Sequence, residues 1–543
     1  MDFHDVLDAP LADILAMVRG GRRRVGTQEA ATPSDQHSRD QRLSPRALVG
    51  LARDRVQATR ESTGLSTQEL GFALDDIPVT YPSVQRSSGP FAGLPIPIKD
   101  LLPVQGIPCT QGSADRVSVP EKNDPVADAL LDAGATIFGA SSTSELGLSC
   151  YTEPTHLPTV VNPALPGRTP GGSSGGAAAL VARGIVPVAH GSDGGGSIRV
   201  PAACCGIVGF KPPHDPTDGQ LRADGFLART VADVAVASSL ITFPGQPRVT
   251  RTQWVPRASN VSVPSRRLRV GILTKPLHSA GRNAPYPAPH GASHPATRPA
   301  SNSLMTGALR IAADRVRAAG HDVVPVTSPY PPETIELLRI VLAYRCRNLD
   351  GALSPLSTYF RDLGATIAAE QYEDTLARLR ELPELVLGQW ADAANVDLVL
   401  NPTIAYPPPP VGTFAALPPK EDFAAQTTWT PWCTLWNLTG WSGLSVPVVT
   451  TAIEGPWHGW PVSVHVGAVG DRVSPWEVLG VGLIVEKQCH SDAALGNCHC
   501  PGCDIWDVRA AGNATPRGGP GAPNATEGAD RPVESVAGAG GVA

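Results

Sequence analysis

Three hydroxyls and one amine in this chain stand where chemistry could be done. Ser173 and Ser174 lie between glycine pairs in GGSSGG, Ser197 follows Gly194, Gly195 and Gly196, and Lys99 ends the apolar run LPIPIK just before Asp100. Glycine lets a backbone approach a ligand closely and leaves amide N–H groups exposed beside the serine. An acyl-transfer nucleophile needs that presentation, with a proton acceptor nearby and backbone donors for the charge that develops on oxygen. A lysine ending a buried strand has two readings, a salt-bridged structural residue or a base kept neutral by burial, and the sequence leaves both open.

The segments around these residues must position them, and their patterns do not suit a linker. AAALVARG is helix-forming with Gly184 as its stop, IVPVA has the pattern of a buried strand, and IRVPAACCGIVGF is apolar again. No G-x-x-x-x-G-K-[ST] or G-x-G-x-x-G follows a strand, which argues against a phosphate-binding loop. Upstream, residues 5 to 18 have amphipathic spacing. Ser44 caps a helix that begins at Pro45 and runs through RALVGLARDRVQATRE. Asp124 and Pro125 open the helix VADALLDA, Gly134 closes it, and ATIFG returns as a strand. Downstream, the strand LRVGIL, the helix LMTGALRIAADRVRAAG, the strands HDVVPV and VDLVL, and a last core element VLGVGLIVEK continue an α/β rhythm.

Composition narrows the class. The chain has 543 residues, enough for three or four average domains or one large α/β domain, and 42% hydrophobic content supports a large core. A net charge of -6 gives no basic footprint for nucleic acid; the triplet Arg22, Arg23 and Arg24 reads as a solvated patch. The ten cysteines form no evident disulfide framework, so a reduced, cytoplasmic protein is expected. The first residues are acidic where a signal peptide is basic, and no run approaches 18 apolar residues, so neither secretion nor a membrane span is expected. Beyond Lys487 lie Cys489, Cys498, Cys500 and Cys503 with His490 and His499. Their C-x-C-x-x-C spacing lacks the paired C-x-x-C halves of common zinc modules, so no metal site is assigned and a disordered tail is expected. The expected organisation is an N-terminal helix and polar loop over 1–43, one large domain over 44–487, and a tail over 488–543.

GLPIPIKD, DPVADALLDAGATIFGASSTSEL, NPALPGRTPGGSSGG and GSDGGGSIRVPAACCGIVGFKP, in this order, resemble the amidase signature family. The resemblance runs over residues 45 to 487. It implies an α/β fold, with a mixed central β-sheet sandwiched between helices (α/β/α), and a Ser-cisSer-Lys triad. Carried onto the matching positions, it implies Ser197 as nucleophile, Ser173 with a cis peptide bond as proton relay, and Lys99 as base. It likewise implies Gly194, Gly195 and Gly196, together with Ser197, as backbone donors of the oxyanion hole. Ser174 would support the network, and Asp193 with Arg199 would brace the loop as an ion pair. Gly194 stands where relatives often carry Thr or Ile. His190, close to Ser197 in sequence, is expected to be structural. The segment after Lys211, KPPHDPTDGQLRADGFLARTVADVA, is shorter than the family loop that helps line the acyl pocket. TPWCTLWNLTGWSGLSVPVV and AAGHDVVPV resemble the fungal acetamidase and fatty-acid-amide-hydrolase branch; within the first, Trp432, Trp436 and Trp441 are pocket-wall or core residues.

The activity implied is hydrolysis of a carboxylic amide to an acid plus ammonia or an amine, through an acyl-enzyme on Ser197 and without a cofactor. The partner is a small-molecule amide, with small aliphatic amides the first expectation; no nucleic acid is expected, and a homodimer is compatible. Two alternatives are carried, an amidotransferase A-type subunit that delivers ammonia with partner subunits, and a catalytically impaired amidase-like scaffold.

Overall fold

Apolar runs punctuated by glycine and proline become strands in the computed structural model, which describes residues 3–19, 43–75, 89–217, 219–240, 261, 263–278, 297–451 and 458–486. The Arg22–Arg24 triplet and the Cys489–Cys503 cluster lie outside the described residues. The first two strands, β1 (Pro95–Lys99) and β2 (Thr136–Ser141), pair in parallel. The others are β3 (Val188–Asp193), β4 (Val208–Lys211), β5 (Ala223–Ala228), β6 (Arg269–Ile272), β7 (Asp322–Pro325), β8 (Leu398–Pro402), β9 (Gly443–Thr450) and β10 (Pro461–Ala468). These form one mixed sheet in the order β3-β5-β4-β9-β10-β8-β6-β7. β8, β6 and β7 run parallel, while every pair from β3 to β8 is antiparallel.

The sheet is apolar on both faces, as the alternation along β8 makes clear. Leu398 and Leu400 enter the large core that includes the Thr297–Ala318 and Pro475–Val485 helices, and Val399 enters a second core with Trp390 and Trp436. Helices must therefore cover both sides, as an α/β/α sandwich requires. The Pro475–Val485 helix is apolar apart from Glu477 in its first turn and buries Val478, Leu479, Val481 and Val485. The N-terminal residues join this body. Leu7, Leu11 and Leu15 are in the large core, and the Leu11 N–H donates to Asp233 at 2.7 Å.

Most elements read from the sequence are present. Ser44 caps the Pro45–Thr63 helix by accepting from the Ala47 N–H at 3.1 Å, and Gly64 ends it in the left-handed conformation. Asp124 caps Pro125–Asp132. Between 326 and 397, where the sequence reading placed no element, stand the helices Ile335–Cys346, Pro355–Thr366 and Ala369–Leu387.

Ser173 and Ser174 are carried into the core by the Gly175–Ala182 helix, buried from Gly175 to Val181. Its first turn can enter only because it lacks side chains: a Cβ on Gly176 would lie 2.4 Å from both the Gly71 carbonyl oxygen and the Ser142 nitrogen. Both obstacles are backbone and cannot rotate away. Gly176→Ala is therefore expected to cost about 1–3 kcal/mol of stability, read as a lowered midpoint in chemical denaturation; an unchanged midpoint would show that this contact does not fix the helix.

Candidate active site

The loop that carries Ser197 is built around a buried carboxylate at the end of β3. Asp193 Oδ1 accepts the Gly196 N–H at 2.8 Å, and Oδ2 accepts the Ile198 N–H at 3.1 Å. Arg199, equally buried, closes a two-pronged pair on it through Nη2 at 2.9 Å and Nε at 3.0 Å. Asn437 Nδ2 donates to the same carboxylate at 2.9 Å, and its Oδ1 accepts from Arg199 Nη2 at 2.7 Å. Burial by itself would raise the Asp193 carboxyl, but Arg199, Lys211 and Asn437 outweigh it and hold the group well below the usual carboxylate range. On the far side of Arg199, His465 Nε2 meets Nη1 at 3.1 Å and Nδ1 meets Asn401 at 3.2 Å. Burial pushes the His465 ring well below its ordinary value, so it is neutral and accepts from the guanidinium.

Gly196 adopts φ +133°, a conformation that favours glycine, and an added Cβ would lie 3.0 Å from Cys433 Cβ and Val200 Cγ2. Its N–H is committed to Asp193, which removes Gly196 from the oxyanion set implied by the resemblance. Gly194, Gly195 and Ser197 have N–H groups without an acceptor among the described residues. A Cβ on Gly194 would meet nothing within 4 Å.

Lys99 approaches from β1. It is 1% exposed; its Nζ donates to Ser173 Oγ at 2.7 Å and to the Ser192 carbonyl at 3.2 Å. The peptide bond between Gly172 and Ser173 is cis. Ser174 Oγ donates to the same Ser192 carbonyl at 3.3 Å, and the Ser174 N–H reaches the Ser197 carbonyl at 3.2 Å. Burial brings the Lys99 amine down to about 7, against the opposing pull of Asp193 and Asp224. His190 is committed elsewhere. Its Nδ1 accepts the Lys99 backbone N–H at 3.3 Å and its Nε2 meets Asp224 at 3.2 Å, both satisfied by the neutral tautomer protonated on Nε2. Burial also lowers its pKa, so the ring is a neutral brace for β1.

Ser197 is partly exposed and opens onto a pocket of about 100 Å³. Gly147 lines the same pocket, and a Cβ placed on it would lie 3.4 Å from Ser173 Oγ; Ser173 itself is 1% exposed and lies behind this wall rather than in the lining. The walls come from residues 147–150 and from the helices Ile335–Cys346 and Pro419–Trp429. The segment 212–222, to which the resemblance gave a share of this wall, contributes no lining residue among those described. Nor do the three tryptophans. Trp432 and Trp436 are core residues whose indoles donate to the Lys275 and Ala468 carbonyls, and Trp441 packs partly buried against both cores.

Asn437, His465 and Gln426 were not singled out from the sequence. The available signal was a polar residue inside an apolar run, WNL for Asn437 and VSVHVGA for His465. The buried pair gives a direct expectation. Arg199→Met leaves the Asp193 charge uncompensated and should cost about 3–5 kcal/mol, seen as a large fall in denaturation midpoint at pH 7. Because the carboxyl is depressed, the pair's contribution is full above about pH 4 and is lost only as pH falls through the lowered value. The wild-type midpoint should therefore not decline between pH 8 and 5 on account of this pair.

Comparison with known proteins agrees with this architecture. A family model described as Amidase matches residues 73–284, which include Lys99, Ser173 and Ser197. The Mycobacterium tuberculosis protein named "Putative amidase AmiB2" is 31% identical over 390 residues, covering 66% of this chain and 75% of that protein. A glutamyl-tRNA(Gln) amidotransferase subunit from Methanosarcina acetivorans is 42% identical, but only over 167 residues, 29% of this chain and 35% of that protein. Among solved structures, a 6-aminohexanoate cyclic dimer hydrolase complexed with substrate superposes with a TM-score of 0.66 at 22% identity, covering 89% of this chain and 98% of that one, and so shares its fold. A relative at this identity over most of its length, the match to the family model and the common fold together establish that this chain belongs to the amidase signature family, whose members hydrolyse amide bonds.

Proposed function

We propose that this chain hydrolyses a carboxylic amide to an acid and ammonia or an amine through an acyl-enzyme on Ser197. The observation that carries the assignment of roles is the 2.7 Å bond between a fully buried lysine amine and Ser173, whose neighbour Ser174 is tied through its N–H to the Ser197 carbonyl at 3.2 Å. Neutral Lys99 accepts the Ser173 proton as Ser173 takes that of Ser197, and Ser197 Oγ attacks the amide carbon. The N–H groups of Gly194, Gly195 and Ser197 hold the oxyanion. Removing one such donor typically costs about two to three orders of magnitude in rate. The proton returns through Ser173 to the departing nitrogen, and water repeats the sequence on the ester to release the acid. Asp193 and Arg199 support the loop, and Ser174 ties it to the relay.

The remaining features of the reading are one amidase domain over 44–487 flanked by 1–43 and 488–543, a cytoplasmic location, a homodimer, and kinship with the acetamidase-like branch. The free state of all six described cysteines supports a reducing compartment, and among the described residues no helix is long and apolar enough to cross a membrane. The tryptophan-rich stretch from 431 to 441 supports the branch.

Ser197→Ala and Lys99→Ala are each expected to abolish turnover of a primary amide while leaving the circular-dichroism spectrum unchanged; retained turnover in both would overturn the assignment. Hydrolysis by the isolated chain separates this reading from ammonia delivery to partner subunits. The base works only when neutral, so kcat/KM should fall about tenfold per pH unit below pH about 7, the value to which burial lowers Lys99. A profile flat from pH 8 to 5 would exclude Lys99 as the base.

A further inference from the structure

The pocket beside Ser197 has no charged side chain among its lining residues. One wall is a continuous apolar stripe. Ile335, Leu338 and Leu342, spaced by three and four residues, present one face of the Ile335–Cys346 helix, and Phe423 lies on the wall formed by the Pro419–Trp429 helix. A charged substrate group entering here would lose its hydration without gaining a partner.

Gln426 is the amide side chain in this lining, and it is held rigidly. Its Oε1 accepts the Cys150 N–H at 2.8 Å, and its Nε2 donates to Asp422 Oδ1 at 2.7 Å. Asp422 is itself anchored by the Tyr151 hydroxyl at 2.8 Å. These partners fix which end of the amide is nitrogen, because a backbone N–H needs an acceptor and a carboxylate needs a donor. Nε2 carries a second hydrogen beyond the one given to Asp422. The hydroxyls of Ser149, Thr427, Thr430 and Thr434 in the same lining donate to backbone carbonyls, so Gln426 offers a preoriented donor beside the apolar stripe, an arrangement that lets one polar contact fix the orientation of an apolar ligand.

We infer that the substrate is an uncharged amide bearing a bulky apolar group, aryl or branched alkyl, which packs on the Ile335–Leu338–Leu342 stripe while Gln426 donates a hydrogen bond to it. This rests on the amide hydrolysis at Ser197 proposed above, and it replaces the expectation of small aliphatic amides. The apolar group adds contact area that acetamide lacks, and even one methylene in such a pocket is worth roughly tenfold or more.

The test compares kcat/KM for acetamide, phenylacetamide, 6-aminohexanamide and the monoamide of adipic acid. Phenylacetamide should exceed each of the other three by at least about tenfold. Acetamide or either charged amide equalling phenylacetamide overturns the inference. Leu338→Asp should narrow the ratio of phenylacetamide to 6-aminohexanamide, and an unaltered ratio counts against the stripe as the seat of the apolar group. Gln426→Leu should raise KM for phenylacetamide about fivefold or more with a smaller change in kcat; an unchanged KM removes Gln426 from the site. Labelling of Ser197 by a fluorophosphonate probe distinguishes the two levels. Labelling with the wrong preference sinks only the substrate class, whereas absence of both labelling and turnover in the wild type sinks the function on which it rests.

Discussion

A carboxylate with no access to water stays charged only while something neutralises it, and at Asp193 the neutralising groups come from the loop that carries Ser197. The Arg199 guanidinium and the N–H groups of Gly196 and Ile198 converge on its two oxygens. An uncompensated charge there would cost several kcal/mol, so the loop has few alternative shapes. The constraint reaches further because Asn437 and His465 hold Arg199 in turn, and they arrive from segments more than 230 residues downstream. The conformation at Ser197 is thus set by the packing of the whole mixed sheet.

The same strand end organises the proton path. The Ser192 carbonyl, one residue before Asp193, accepts from both Lys99 Nζ and Ser174 Oγ, while the backbone of Ser174 reaches the Ser197 carbonyl. β3 therefore ties the lysine from β1, the hydroxyls from the 171–176 glycine block and the Ser197 loop to two adjacent residues. His190, on the same strand, holds the backbone of Lys99 from the side. Placing the histidine there explains why proximity in sequence to Ser197 was a poor guide to its use. Alternate residues of a strand point to opposite faces, and seven residues of chain that include a tight loop preserve no direction.

What could be read in advance follows from how local each cause is. Caps and stops are local, so Ser44, Pro45, Asp124 and Gly134 announced their helices. The glycine blocks were legible because a conformation that only glycine adopts, or a contact too close for a side chain, leaves its mark on the residue itself, as at Gly196 and Gly176. The commitment of the Gly196 N–H to Asp193 was not legible, because it depends on which face of the loop the carboxylate approaches. The pocket walls were the least legible part. Ile335, Leu338 and Leu342 have an ordinary amphipathic spacing, and nothing in that spacing says whether the face meets a core or a cavity. Of the two readings the sequence left for the tryptophans, the core holds, for the complementary reason. Large aromatic area is most stabilising in the interior, where Trp432 and Trp436 each found a carbonyl for the indole N–H.

Burial alone does not make a lysine a base, and this chain contains the comparison. Lys211, at the end of β4, is as buried as Lys99, and burial together with Arg199 holds its pKa well below the ordinary lysine value. Its Nζ donates to the carbonyls of Pro212 and Trp441, acceptors that have no proton to give. Lys99 Nζ meets a hydroxyl, Ser173 Oγ. A neutral amine opposite a carbonyl can only donate; opposite a hydroxyl it can exchange roles and receive. Both strands end in lysine in the sequence and both lysines end in the core, so the distinction lies in the partner. That partner is supplied by Ser173, which the glycines on either side bring close enough to reach.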